Sequence, residues 1–150
     1  MLSFELADYC QLNARQKETY NYQIASAILA RYGFHTHRIS DDWLGADFIA
    51  RHMMTGTQLL VQLKGRLLFA KRYKEKDLWI CFRHQNAIYL YPHDLMLEAF
   101  LATNTMEGNE AWNGTLGEVH WRAIPKHMIE LLSPYRLEGF PISKEGTNLK

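Results

Sequence analysis

The chain has 150 residues, 47% hydrophobic and 22% charged, the make-up of one globular domain with a single core. Its formal net charge of +1 gives no global case for a nucleic-acid partner, so any such case must be local. No apolar run reaches the roughly 18 residues of a membrane helix, and the first residues lack the pattern of a secretory signal. The distant Cys10 and Cys81 exclude a disulfide scaffold and point to a reducing, intracellular setting.

Asn13 and Gln16 have the spacing of a helix N-cap and its reciprocal partner, which predicts a helix from there to Tyr32, stopped by Gly33. Its apolar stripe holds Ile24, Ala25, Ile28, Leu29 and Tyr32. Glu18 falls on the same stripe near its N-terminal end, where a carboxylate needs a reason or a solvated helix end. His35 to Ile39 then reads as a short strand and Ser40-Asp41-Asp42 as a turn. Two strands follow, Ala46 to His52 and Gln58 to Lys64, and then a basic loop. Leu78 to Phe82 and Ala87 to Tyr91 make a second hairpin around Gln85-Asn86. Pro92 suits the first turn of a helix reaching Leu101. Thr103 to Gly117 reads as loop, Val119 to Ala123 as a strand, Pro125 as the opening of a helix ending near Ser133-Pro134, and Lys144 to Lys150 as a polar tail. No linker interrupts this order. The expectation is one mixed α/β domain over residues 1–150, a central sheet flanked by helices, with a core over residues 13–101 and a C-terminal extension over 102–150.

The first hairpin carries polar residues on one side. With Thr55-Gly56 as a two-residue turn, Asp47 would face Lys64 and Ile49 would face Gln62. Strand alternation sets these four on one face, while Phe48, Leu59, Val61 and Leu63 take the other. Paired residues have Cβ atoms about 4.5 to 5.5 Å apart, so an acid, an amide and an ammonium would gather at one spot. A carboxylate, an amide oxygen and the backbone carbonyl of Leu63 are hard ligands suited to Mg²⁺. Lys64 could orient or deprotonate a water or stabilise developing charge, as phosphodiester hydrolysis requires. The plainer reading is a cross-strand ion pair worth about 0.2 to 1 kcal/mol beside an ordinary glutamine.

The stretches "GADFIA" (from Gly45) and "QLKG" (from Gln62) resemble the active-site signature of the PD-(D/E)xK nuclease superfamily, the restriction-endonuclease-like fold. That signature is an acid on one strand and an acid-x-Lys triplet on the next. The resemblance covers roughly Gln16 to Leu101. It implies a central mixed sheet of about four or five strands flanked by helices, acting as a metal-dependent endonuclease on DNA. It also implies Mg²⁺ or Mn²⁺ at Asp47, Gln62, Leu63 and, through the first helix, Glu18, with Lys64 as the catalytic lysine. Gln62 departs from the usual Asp or Glu, as in Mrr-like restriction enzymes and cyanobacterial intron-encoded homing endonucleases. The change removes one negative charge from the metal site. Cutting both strands of a duplex implies a homodimer or higher oligomer, here in a prokaryotic cytoplasm.

Directly after Lys64, "GRLLFAKRYKEK" is rich in basic residues. Arg66, Lys71, Arg72, Lys74 and Lys76 could contact phosphates and Tyr73 could stack on a base or sugar, although a solvated basic loop gives the same pattern. His35 and His37 share a strand face, but no third ligand at motif spacing accompanies them, so no zinc site is expected. His84 and His93 are expected in surface or capping roles. Trp79, Phe82, Tyr89 and Tyr91 alternate as core residues. Two other readings stay open: a catalytically silent DNA-binding or assembly module that keeps the fold, and a protein-interaction domain.

Overall fold

The computed structural model describes residues 2–41, 44–103 and 106–141. Asp42 of the expected turn and the expected polar tail lie outside these residues. Helix α1 spans Ala14–Arg31 and opens as its sequence predicts: Asn13 Oδ1 accepts the Gln16 N–H and Gln16 Oε1 accepts the Asn13 N–H, both at 2.9 Å. Gly33, at φ +83°, lets the chain reverse into β1 (Phe34–Arg38).

Strands β2 (Phe48–His52), β3 (Gln58–Lys64), β5 (Leu78–His84), β6 (Ala87–Pro92) and β8 (Arg136–Leu137) join β1 in one six-stranded sheet of order β1-β2-β3-β5-β6-β8. Among the described residues only β3 and β5 run parallel in this sheet; its other neighbouring pairs are antiparallel. The sheet exceeds the expected size because β8 adds to β6. The chain between β3 and β5 is not a plain basic loop. Leu67–Ala70, fully buried, form β4, which leaves the main sheet and pairs with β7 (Glu118–Trp121) before a 3-10 turn over Lys71–Tyr73. Helices α2 (His93–Thr103), α3 (Glu110–Asn113) and α4 (Lys126–Leu132) complete the fold. No helix among the described residues is long and apolar enough to cross a membrane.

The sheet has two unlike faces. On one, Phe48, Ala50, Val61, Cys81, Ile88 and Leu90 pack beneath Ala25, Ile28 and Leu29 of α1. Burial there pushes the Cys81 thiol up to about 12, so it behaves as a small apolar group. On the other face, Leu78, Ile80, Phe82, Tyr89 and Tyr91 pack against Phe69, Met96, Phe100 and Met128. Phe69 stacks on Phe100 at 5.1 Å, and the Tyr91 hydroxyl donates to Leu68 O. This second layer covers β5 and β6. On β1 and β2 the same face carries His35, His37, Ile49 and Arg51, none of them buried.

The first hairpin differs from its expected register by two residues. Four residues, Met53 to Gly56, make the loop, closed by Gly56 N–H on His52 O (2.9 Å) and His52 N–H on Thr57 O (2.8 Å). Ile49 therefore faces Leu60, not Gln62. The cause is His52, whose Nδ1 accepts the Thr55 N–H at 3.2 Å and holds that residue inside a wider turn. Gly56 still supplies the positive φ, +72°. A slip of two keeps every side chain of β2 and β3 on its expected face, whereas a slip of one would have inverted them.

His93 also departs from expectation: it is fully buried. Its Nε2 accepts the Ala70 N–H at 3.1 Å, which leaves the proton on Nδ1, donated to Asp94 Oδ1 at 2.9 Å. Burial lowers its pKa below the ordinary 6.5, against the opposing pull of Asp94. The unfolded chain then binds a proton near pH 6.5 that the folded one refuses, so stability present above that pH drains away as pH falls through and below it. The urea midpoint should drop between about pH 7 and about pH 5, and His93→Gln, which cannot titrate, should show a smaller drop over that window.

Candidate functional site

The site forms where β2 parts from β3. Leu44 and Gly45 both have positive φ, +56° and +77°, and turn the chain into Asp47. A Cβ at Gly45 would meet Leu78 Cδ1 at 3.3 Å, which favours glycine there for space as well as for φ. Beyond Phe48 the ladder is irregular. The Asp47 N–H donates to Val61 O at 2.8 Å, although Val61 is the partner of Phe48. Two residues of one strand thus meet one of the other, a bulge of the kind that re-aims a side chain. The Asp47 carbonyl accepts Ile39 N–H at 2.9 Å, which ties the same residue to the end of β1.

Asp47 Oδ2 accepts two hydrogen bonds from β3, the Leu63 N–H at 2.7 Å and the Gln62 amide Nε2–H at 2.8 Å. Asp47 does not stand opposite Lys64, as a two-residue turn would have required; its partner is Gln62. The amide's remaining acceptor is its carbonyl oxygen Oε1. Lys64 lies two residues further along β3, its Nζ over the Tyr73 ring at 5.4 Å from the centroid.

Two clefts flank this pair. One, about 560 Å³, is lined by Asp47 with Glu18, Arg15, Arg38 and Asp41. The structure thus brings Glu18 and Asp47 to one cavity, but the Glu18 carboxylate, 53% exposed, is held at 2.9 Å by the Arg38 guanidinium. Such a solvent-exposed pair contributes about 0 to 1 kcal/mol. The other cleft, about 370 Å³, is lined by Gly45, Gln62, Arg72, Tyr73 and Lys76. Gln62 therefore borders a space with two cations, Asp47 a space with two further carboxylates, Glu18 and Asp41, and two arginines. Among the described residues, no group of three His, Cys, Asp or Glu could hold a metal ion.

The basic stretch is divided by its partners. Arg72 is bonded to Glu118 and to the Tyr73 hydroxyl. Burial works against its charge, and the hydrogen bonds and charge interactions with Glu118 and Tyr73 together outweigh burial and raise its pKa. Lys71 sits over the Trp112 ring at 4.9 Å, away from both clefts. Arg66, Lys74 and Lys76 are exposed. Tyr73 is not available to stack on a base. Only 6% of it is exposed, with His93 edge-on to its ring at 5.7 Å, and it serves as a floor for Lys64 and Arg72. Sequence reasoning missed Arg15 and Arg38 as cleft residues. Strand alternation from Phe34 through Thr36 to Arg38 was the available signal for the second, since Thr36 bonds Tyr22 and Ser26 of α1.

No family model matches the chain, and no curated protein matches it. Among solved structures the chain is similar to a bacterial homing endonuclease, I-Ssp6803I, at 15% sequence identity and a TM-score of 0.46, over 83% of this chain and 86% of that chain. At that score the likeness carries no residue roles to this chain.

The bonds to Asp47 have a measurable consequence for folding. Asp47→Ala leaves the Leu63 N–H and the Gln62 amide without their acceptor and should cost about 1 to 3 kcal/mol in urea unfolding. Asp47→Asn keeps an acceptor oxygen and should cost less.

Proposed function

We propose that this chain is a metal-dependent endonuclease of the PD-(D/E)xK, restriction-endonuclease-like kind, which hydrolyses DNA phosphodiester bonds with Mg²⁺ or Mn²⁺. One observation carries the reading: the Asp47 carboxylate and the Gln62 amide are bonded to each other at 2.8 Å, at the mouth of two clefts, with Lys64 two residues along the same strand. The available donors fit a hard cation. They are the Asp47 carboxylate, the Gln62 carbonyl, the Leu63 backbone carbonyl and, across the cleft, Glu18. When bound, such an ion lowers the pKa of a water and neutralises charge on the phosphate.

The chain's own residues divide the remaining work. Gln62 fixes the Asp47 carboxylate before any ion arrives, since its amide and the Leu63 N–H both hold Oδ2. Lys64, steadied over Tyr73, supplies a cation to orient the attacking water or to stabilise charge in the transition state. Arg72 and Lys76, beside Gln62, supply positive charge for the phosphate. Two copies of the chain would cut the two strands of a duplex.

A second reading is a silent DNA-binding module of the same fold. Its support is that Gln62 contributes no charge and that Glu18 is engaged by Arg38. Plasmid nicking separates the two. The wild type should nick plasmid in Mg²⁺ or Mn²⁺ and not in EDTA, and Asp47→Asn and Lys64→Ala should each lose at least about 100-fold in rate. Absence of metal-dependent nicking on several DNAs, with DNA binding retained, would leave the silent module.

A further inference from the structure

A second cluster of groups suited to anions lies on the sheet face that carries Gln62 and Lys64, toward the edge of the sheet. On β1, His35 and His37 point to this face, their rings stacked at 4.8 Å and 24°. On β2, Arg51 lies directly opposite His35. All three are exposed, and with Met53 they line a cleft of about 280 Å³. Among the described residues no carboxylate pairs with any of them. Arg51 stands across from His35 and Ile49 across from His37, so the three polar groups lie together without an acidic cross-strand partner. Together they present N–H donors and a fixed positive charge, with no acid to satisfy them.

The strip is continuous with the candidate site. Gln58, Leu60 and Gln62 alternate along this face of β3, and Arg51 lies opposite Gln58, so Arg51 stands roughly 13 Å along the strands from Gln62, which is bonded to Asp47. At about 3.4 Å per nucleotide, that is about four nucleotides of one DNA strand. The second layer of the fold, which covers β5 and β6, does not bury this part of the sheet.

We propose that His35, His37 and Arg51 form a phosphate-contact strip that holds the DNA backbone about four nucleotides from the bond presented to Asp47. The inference takes its ligand from the nuclease reading and adds a binding surface to it. Arg51 makes a charged contact to one phosphate, and the two imidazoles donate hydrogen bonds to phosphate oxygens beside it. Contacts of this kind position the duplex and carry no sequence preference.

The test is fluorescence anisotropy of a labelled mixed-sequence duplex in EDTA at several salt concentrations. It compares the wild type with Arg51→Gln, with the double variant His35→Gln/His37→Gln, and with Lys126→Gln as an exposed control on α4. Arg51→Gln should bind about tenfold more weakly to any sequence, with the salt dependence reduced by about one unit of slope. The double histidine variant should weaken binding by about threefold or more, and Lys126→Gln should match the wild type. All the substituted side chains are exposed, so circular dichroism should show every variant folded. Wild-type affinity and slope in Arg51→Gln and the double variant would overturn the strip, as would a wild type that binds no DNA at low salt. Weakened binding in a protein that never nicks DNA would overturn the nuclease reading and leave the strip standing. Nicking with undiminished binding would do the reverse.

Discussion

One carboxylate oxygen, Asp47 Oδ2, holds together the place where two strands separate. Along β2 and β3 the backbone carbonyls of each strand satisfy the other's N–H groups until Phe48, where the bulge at Asp47 breaks the ladder. The next N–H on β3, that of Leu63, then lacks a regular acceptor, and Oδ2 takes it at 2.7 Å. An unpaired backbone donor in this half-buried setting would cost about 1 to 3 kcal/mol. The carboxylate is therefore part of the sheet's hydrogen bonding as well as the mouth of a cleft. The positive φ at Leu44 and Gly45 follows from the same requirement, because the chain must bend there to aim Asp47 back at β3.

The remaining architecture surrounds this point. Because β4 leaves the main sheet to pair with β7, β3 and β5 become parallel neighbours, and the segment after β4 passes over the end of β3. That passage brings Tyr73 beneath Lys64 and sets Arg72 and Lys76 beside Gln62. The passage is anchored from below. His93 takes the Ala70 N–H and bonds Asp94, whose other oxygen accepts the Glu75 N–H at 2.7 Å. The polar groups of β4, the basic segment and the start of α2 thus form one satisfied network. Its members fix where the cations stand without ever touching them.

Some of this was legible in the residues. The helix α1 is written in Asn13 and Gln16, a local signal that tertiary packing has no reason to override. The faces of β2 and β3 follow from alternation alone, which survives any even slip of register. The pairing itself did not follow, because "TG" suits a two-residue turn and the bond from Thr55 N–H to His52 that widens it is a side-chain effect. β4 was hidden by composition: Leu67 to Ala70 is a short apolar run inside a basic stretch, and its partner β7 lies about fifty residues later in the chain. For the same reason Tyr73 read as an exposed aromatic among lysines. Only the long-range packing of α2 shows it to be a buried floor.

The glutamine at position 62 can now be weighed on physical grounds. A carboxylate there would put two negative charges within hydrogen-bond distance, and without a cation they would repel or share a proton. The amide instead donates to Asp47 and closes the site into a bonded pair. On the nuclease reading this exchanges one unit of ligand charge, and with it some affinity for a divalent ion, for a carboxylate already in place when the ion arrives. Glu18 is one of two carboxylates in the same cleft able to restore the lost charge, and Arg38 holds it at the rim. The Glu18 carboxylate is about half exposed and Arg38 keeps Thr19 and the Tyr22 ring as partners, so releasing that carboxylate costs about 1 kcal/mol or less. An ion that offers it a stronger partner can recruit it without disturbing the fold.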